Sequence, residues 1–165
     1  MSQGEQLEAL CALLGEETRV CGVLSGVLRD EQAAAIGLDP DGIIGCLAER
    51  RLLHEQLAQL AAARGDLVSS IAREQGETAE RVTELLPLLA ADAGERVRDG
   101  LRTLRRALLE ARGLGRQNTL FAEASLDGVG ELLRALGGLM PGARYGADAR
   151  VAARGGPTNR IDRRV

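Results

Sequence analysis

The chain contains no lysine and no tryptophan, and only one phenylalanine, one tyrosine and one histidine. All 21 of its bases are therefore arginines, which removes any chemistry that needs a side-chain amine: a Schiff base, a Walker-type phosphate clamp, a lysine general base. With aromatics at 1%, an apolar pocket for a cofactor lacks its usual lining, and no cofactor is expected. Valine and isoleucine together number only 14, and strands favour β-branched and aromatic residues, so a sheet is disfavoured. There is no basic excess either. The net charge is −3, whereas a dedicated nucleic-acid binder needs a basic footprint, so no nucleic-acid partner is expected. No apolar run is long enough to cross a membrane, and no secretory signal is visible, which points to the cytoplasm. The cysteines, Cys11, Cys21 and Cys46, are odd in number and fall in helical stretches. They read as reduced core thiols, and the single His54 cannot complete a metal site with them.

What is abundant is leucine, 28 residues, and alanine, 25 residues, in a chain of 165. With Glu, Gln and Arg these are the strong helix formers, and the expected fold class is all-α. A first helix is expected over about 5–36. Alternating steps of three and four residues pick out Leu7, Leu10, Leu14, Glu17, Cys21, Leu24 and Leu28, and Leu13, Val20 and Val27 form a second row beside them. The stripe is broader than a two-stranded seam needs. Gly15, Gly22 and Gly26 each weaken this helix by about 1 kcal/mol relative to Ala, and they allow close approach of a neighbouring helix. Asp39 and Pro40 are an N-cap and a first helical residue, and a second apolar row runs from Ile43 to Ile71. So short a connection favours an antiparallel hairpin. Residues 76–92 read as a short helix, with Thr78 as its N-cap, and a bend at Pro87.

The third long stretch has the most regular pattern. Val97, Leu101, Leu104, Leu108, Ala111, Gly115, Asn118, Ala122, Ser125, Val129, Leu132, Leu136 and Leu139 follow three-four spacing without a skip. Such a helix is about 65 Å long, which favours an elongated, coiled-coil-like bundle over a compact globule. Gly137-Gly138 and Pro141-Gly142 end it. Residues 141–165 hold six arginines and two aspartates, show little apolar periodicity and are expected to be a disordered basic tail. The expected division is thus a helical body over 1–140 and a flexible tail over 141–165. A monomer and a homodimer would both bury these stripes.

No catalytic constellation emerges, and no catalytic residue or metal ligand is assigned. Apart from Glu17, the acids are expected on helix faces opposite the apolar rows, Ser69-Ser70 has no basic partner in sequence, and neither Gly113-Leu114-Gly115 nor Gly137-Gly138 follows a strand. His54 raises the possibility of a phosphotransfer bundle, but Glu55 beside it would repel a phosphate. Asn118 interrupts the third helix's apolar row, where a lone Asn either fixes register or lies at the edge of the seam. Beyond it, Leu126, Val129, Leu132, Leu133, Leu136 and Leu139 exceed what one seam needs. They form a candidate surface for a partner helix, unless both rows pack on helices one and two.

Three segments of the C-terminal third have a counterpart. Gly115-Arg116-Gln117-Asn118-Thr119-Leu120-Phe121 follows a leucine helix, Arg144-Tyr145-Gly146-Ala147-Asp148-Ala149-Arg150 follows its end, and the chain closes on Asn159-Arg160-Ile161-Asp162-Arg163-Arg164-Val165. This pattern resembles the FlgN family of flagellar export chaperones, small helical cytoplasmic proteins with a helical hairpin, an Asn-bearing long helix and a loose tail with a Tyr-Gly-type motif. The resemblance implies no enzymatic activity. It implies that the leucine surface binds hook-associated (hook-filament junction) proteins. It also implies that Tyr145, with Arg144 and Arg150 around it, engages the cytoplasmic domain of the flagellar export gate. The alternative from the residues alone is a structural or adaptor coiled coil.

Overall fold

The computed structural model describes residues 2–139, 143–145 and 151–153, with side chains over 2–136. In chain order the elements are α1 (Gln3–Ile36), α2 (Pro40–Glu74), α3 (Val82–Leu85) with a 3-10 turn at Leu86–Leu88, α4 (Ala91–Leu139), β1 (Ala143–Tyr145) and β2 (Val151–Ala153). By packing, the chain divides into two units, residues 1–119 and 120–165.

Unit one begins with a capping box. The Glu5 backbone N–H donates to the Ser2 hydroxyl at 3.4 Å, and the Ser2 N–H donates to the Glu5 carboxylate at 2.7 Å. At the other end of α1, Gly37 closes the helix and Leu38 turns the chain with φ of 54°. Asp39 then caps α2 by accepting from the Gly42 N–H at 3.0 Å, with Pro40 at the first helical position. Three side-chain pairs fix the direction of α2: Gln6 with Glu74, Glu17 with Arg64 and Glu31 with Arg50. One partner descends the chain as the other ascends, so the hairpin is antiparallel, as expected from the short turn.

The connector departs from the expectation. Thr78 is not the N-cap. Helix α3 starts at Val82, with Arg81 in the cap position. The Glu84 carboxylate takes the backbone N–H groups of Glu80 (2.9 Å) and Arg81 (3.2 Å), and these donors hold it below the ordinary carboxylate pKa. A carboxylate three residues into the helix has taken over the work assigned to Thr78, and Pro87 then limits the segment to a single turn.

Helix α1 is the centre of the unit. It buries eleven residues, α2 only four. Two clusters form along it. In one, Leu7, Leu10, Leu14 and Cys21 meet Val68 and Ile71 of α2, Val82 and Leu85 of the connector, and Val97 and Leu104 of α4. In the other, Val20, Leu24, Val27 and Leu28 meet Leu53 of α2 and Ala111 of α4. Two apolar rows on α1 serve two flanking helices, which is why its stripe is broad. Contacts climb α1 and α4 together, Leu14 to Gly100 and Leu28 to Asn118, so α4 runs parallel to α1.

In the second unit, α4 continues through 120–139. Within the expected tail, β1 and β2 pair antiparallel, with Ala143 opposite Ala153 and Tyr145 opposite Val151. These two short strands were not anticipated. The rest of 141–165 lies outside the described residues, Met140 likewise.

The glycine expectation is corrected. A Cβ at Gly15, Gly22 or Gly26 would meet nothing within 4 Å, so no helix approaches α1 there. The close approach belongs to Gly100, where a Cβ would lie 3.1 Å from Leu14 Cδ1. Leu14 is fully buried and has no room to yield. Gly15→Ala and Gly22→Ala should therefore each stabilise by about 0.5–1 kcal/mol, raising the melting temperature by a few degrees. Gly100→Ala should lower it. Thermal unfolding followed by circular dichroism reads both directions, and a stabilising Gly100→Ala would show that α4 does not press on Leu14.

Candidate functional site

Polar groups inside unit one are few: Gln6, Glu17, Ser25 and Asn118, of which Ser25 leaves its hydroxyl without a protein partner. Glu17 occupies the apolar row of α1 and is 3% exposed. Its carboxylate accepts from Arg64 Nη1 at 2.7 Å. Burial pushes its pKa up, and the Arg64 charge only partly offsets this. Cys21, one turn on, is a buried free thiol whose pKa is raised by burial and then by Glu17. Burial and the acids Asp30, Glu31, Glu49 and Asp39 likewise raise the Cys46 thiol. Neither thiol is activated as a nucleophile.

Asn118 is buried, and its Nδ2 donates to the Leu28 carbonyl at 2.8 Å. The side chain thus ties α4 to α1, where the sequence allowed either a register-fixing contact or a place at the seam's edge. Its Oδ1 is buried without a protein partner. His54 is exposed on α2, at the rim of a groove of about 440 Å³ between α2 and α4. Leu24 and Leu28 of α1 line this groove with Leu57 and Leu108, and Arg50, His54 and Arg112 edge it. Among the described residues, no group of three or more His, Cys, Asp or Glu side chains is placed to hold a metal ion. No described helix is long and apolar enough to cross a membrane.

The main surface feature lies on α4. Along its row, Val97, Leu104, Ala111 and Asn118 are buried at strict seven-residue spacing. After Asn118 the row continues without burial. Leu126 is 72% exposed, Leu132 64%, Leu133 62%, Val129 56% and Leu136 51%. Leu120 and Phe121 are exposed as well. Two apolar rows a turn wide therefore face outward over about four turns of helix, an area that isolated surface leucines do not produce. The structure brings together five of the six leucine and valine residues picked from the sequence. The side chain of the sixth, Leu139, lies outside the described residues. So do those of Arg144 and Tyr145, whose backbones form part of β1, and all of Arg150.

The helical hairpin and the Asn-bearing third helix agree with a finding from family comparison: a family model described as FlgN protein matches residues 1–153. No curated protein and no solved structure matches.

The Glu17–Arg64 pair gives a pH-dependent test of the hairpin. Because the folded pKa of Glu17 is raised, the group favours folding most when protonated, below its ordinary value, and that contribution is lost as the pH rises through the folded value. Arg64→Met removes the charge that makes the buried carboxylate tolerable. It should cost about 2–3 kcal/mol at pH 7, less than for a fully buried pair because Arg64 is partly exposed. The deficit relative to the parent should shrink as the pH falls toward the ordinary Glu range. Adding Glu17→Leu should recover most of it. Urea unfolding of the parent and both variants at two pH values measures this, and a pH-independent deficit would rule out the charged pair as its source.

Proposed function

The chain belongs to the FlgN family of flagellar export chaperones, and on that premise we propose that it works in the cytoplasm on hook-associated proteins and delivers them to the export gate. One observation supports the cargo reading most directly. Over Leu126–Leu136, α4 exposes two apolar rows, whereas the same helix buries its row as far as Asn118. A secretion chaperone has to cover the sticky amphipathic ends of its cargo and release them intact. A preformed apolar helix face accepts a cargo helix by groove-type packing without a pocket or a cofactor. We assign the cargo surface to Leu126, Val129, Leu132, Leu133, Leu136 and Leu139.

Replacing Leu133 and Leu136 by Asp puts two charges in the middle of this face. Both side chains are more than half exposed, so the fold should survive. The variant should lose co-purification with hook-associated proteins while keeping the unfolding transition of the α1–α2 hairpin. Retained binding by the folded variant would remove the assignment.

The gate reading rests on Tyr145, the only tyrosine, flanked by Arg144 and by the basic residues of the tail. A rigid aromatic side chain buries much area at small entropic cost, and arginines around it steer the encounter with an acidic partner. Tyr145→Ala should leave cargo binding and thermal stability intact. Affinity for the cytoplasmic domain of the gate should fall at least about tenfold, roughly 1.4 kcal/mol. A variant that binds the gate normally, or that only melts earlier, would exclude Tyr145 as the anchor.

A further inference from the structure

The α1–α2 hairpin extends beyond its own core. The last buried residue of α1 is Leu28 and the first of α2 is Leu53, and residues 29–52 between them contain no buried side chain. This tip is nevertheless closed along its inner seam. A Cβ at Gly42 would lie 3.1 Å from the Ala34 Cβ, and Arg50 pairs with Glu31 at 3.0 Å. The large apolar residues are left on the outside. Leu38 is 87% exposed, and Ile36, Ile44, Leu47 and Leu52 are exposed as well. Unit one exposes only two other large hydrophobic residues, Val23 and Leu109, so these five are concentrated rather than scattered. Ile44, Leu47 and Leu52 share one broad face of α2, and Ile36 and Leu38 stand at the turn from which α2 starts.

Leu38 lowers stability twice. It is the one non-glycine residue with positive φ among the described residues, in a helix-ending position that favours glycine, while Gly37 stands one place too early with φ of −74°. Its side chain gains no burial in return. The charge around it is of one sign. Residues 30–49 hold five acids, Asp30, Glu31, Asp39, Asp41 and Glu49, and no base. Glu31 is paired with Arg50, and Asp39 caps α2. Asp30, Asp41 and Glu49 are exposed, and among the described residues they make no ion pair. The Cys46 thiol, raised by burial and then by the acids of this tip, feels the same field.

We propose that this hairpin tip, with Leu38 in its turn, docks a basic amphipathic helix of a partner protein. Two helices with an uncovered apolar side need a third element to cover it. Their backbone groups are bonded within the helices, so there is no strand edge to extend, and a helix is the element that fits. Apolar contact supplies the attraction, and the acids choose the partner's sign, since exposed ion pairs add little affinity by themselves. The same acids repel an anionic membrane surface and the tip of a second copy. The docking lies within unit one and rests on neither the cargo nor the gate reading. Its partner is opposite in charge to the acidic one for which the basic tail is suited.

The probe is a fluorescent synthetic helix with leucines on one face and arginines on the other, titrated with the full chain and followed by anisotropy. It should bind, more weakly as salt rises, and a version with glutamates in place of the arginines should not. Hydrogen exchange should show protection by the probe within residues 29–52. Leu38→Gly with Ile44→Gln should weaken binding at least about tenfold. The melting temperature of that variant should hold or rise, because glycine relieves the turn, so lost binding is not lost fold. Should it melt earlier, Leu38→Gly alone replaces it, with at least about threefold weakening expected. Asp30→Asn, Asp41→Asn and Glu49→Gln together should weaken binding and flatten its salt dependence. A probe that does not bind, that binds the tip variants like the parent, or that protects only residues 120–136 would overturn the proposal. So would tip-dependent binding of the chain to phosphatidylserine vesicles, or a dimer in sedimentation of the chain alone that the tip substitutions abolish.

Discussion

Unit one depends on a single constraint: α1 has to be covered on two sides at once. The helix buries eleven residues, eight of them apolar, and neither α2 nor α4 alone could cover them all. The two clusters are the two results, one where the connector and the start of α4 close over Leu7–Cys21, the other where α2 and Ala111 close over Val20–Leu28. Smooth leucine rows permit sliding by a heptad at little cost. Each flanking helix has a polar contact to a buried group of α1 that forbids it. On α2, Arg64 has to meet Glu17, because a slipped hairpin would strand a buried carboxylate. On α4, the Asn118 amide has to meet the Leu28 carbonyl, because a slipped helix would bury both of its polar atoms without a partner.

The parts of this arrangement that depend on local chemistry were legible in the sequence. Asp39-Pro40 marks the start of α2, and the row from Leu7 to Leu28 marks the buried face of α1 with Glu17 in it. Capping was read less well. Ser2 and Glu5 form a capping box ahead of the apolar row, where periodicity gives no signal, although the S-x-x-E spacing was there to be found. Thr78 looked like a cap by residue type, and the Glu84 carboxylate outcompeted it. The glycines failed for a different reason. Spacing places Gly15, Gly22 and Gly26 on a helix but not against a neighbour, and the one close approach belongs to Gly100, which stands among polar residues. A periodic row shows which face of a helix is apolar. It does not show which helix covers that face, and so the partner of Asn118 could not be deduced.

The candidate surface shows the same limit from the other side. From Val97 to Leu136 the spacing of α4 never changes, yet burial stops at Asn118. The excess of the second row, Leu126 and Leu133 beside Val129 and Leu136, was the only sign in the sequence that one seam would not use them all. Charge was a second sign that the row alone did not reveal. Bases gather before the Asn and acids after it, so the charge changes sign along the helix where the burial of its row ends.

This arrangement explains how a leucine face can be held ready without a core of its own. Helix formation is limited by nucleation, and a free segment that carries glycines at 128 and 130 is a weak helix former in water. Here nucleation takes place in unit one, where Val97, Leu104 and Ala111 are buried against α1. Residues beyond Asn118 only extend a helix that already exists, at the small cost of propagation. Their leucines are therefore presented in helical register before any partner arrives. A partner that docks on them need not supply the free energy for ordering this side of the interface. Glycines at 128 and 130 reduce helix propensity in this stretch, and open space surrounds Gly128, so no packing contact requires it. A face that is preformed but only weakly held suits a reversible grip, in which binding is strengthened by preorganisation and release remains within reach.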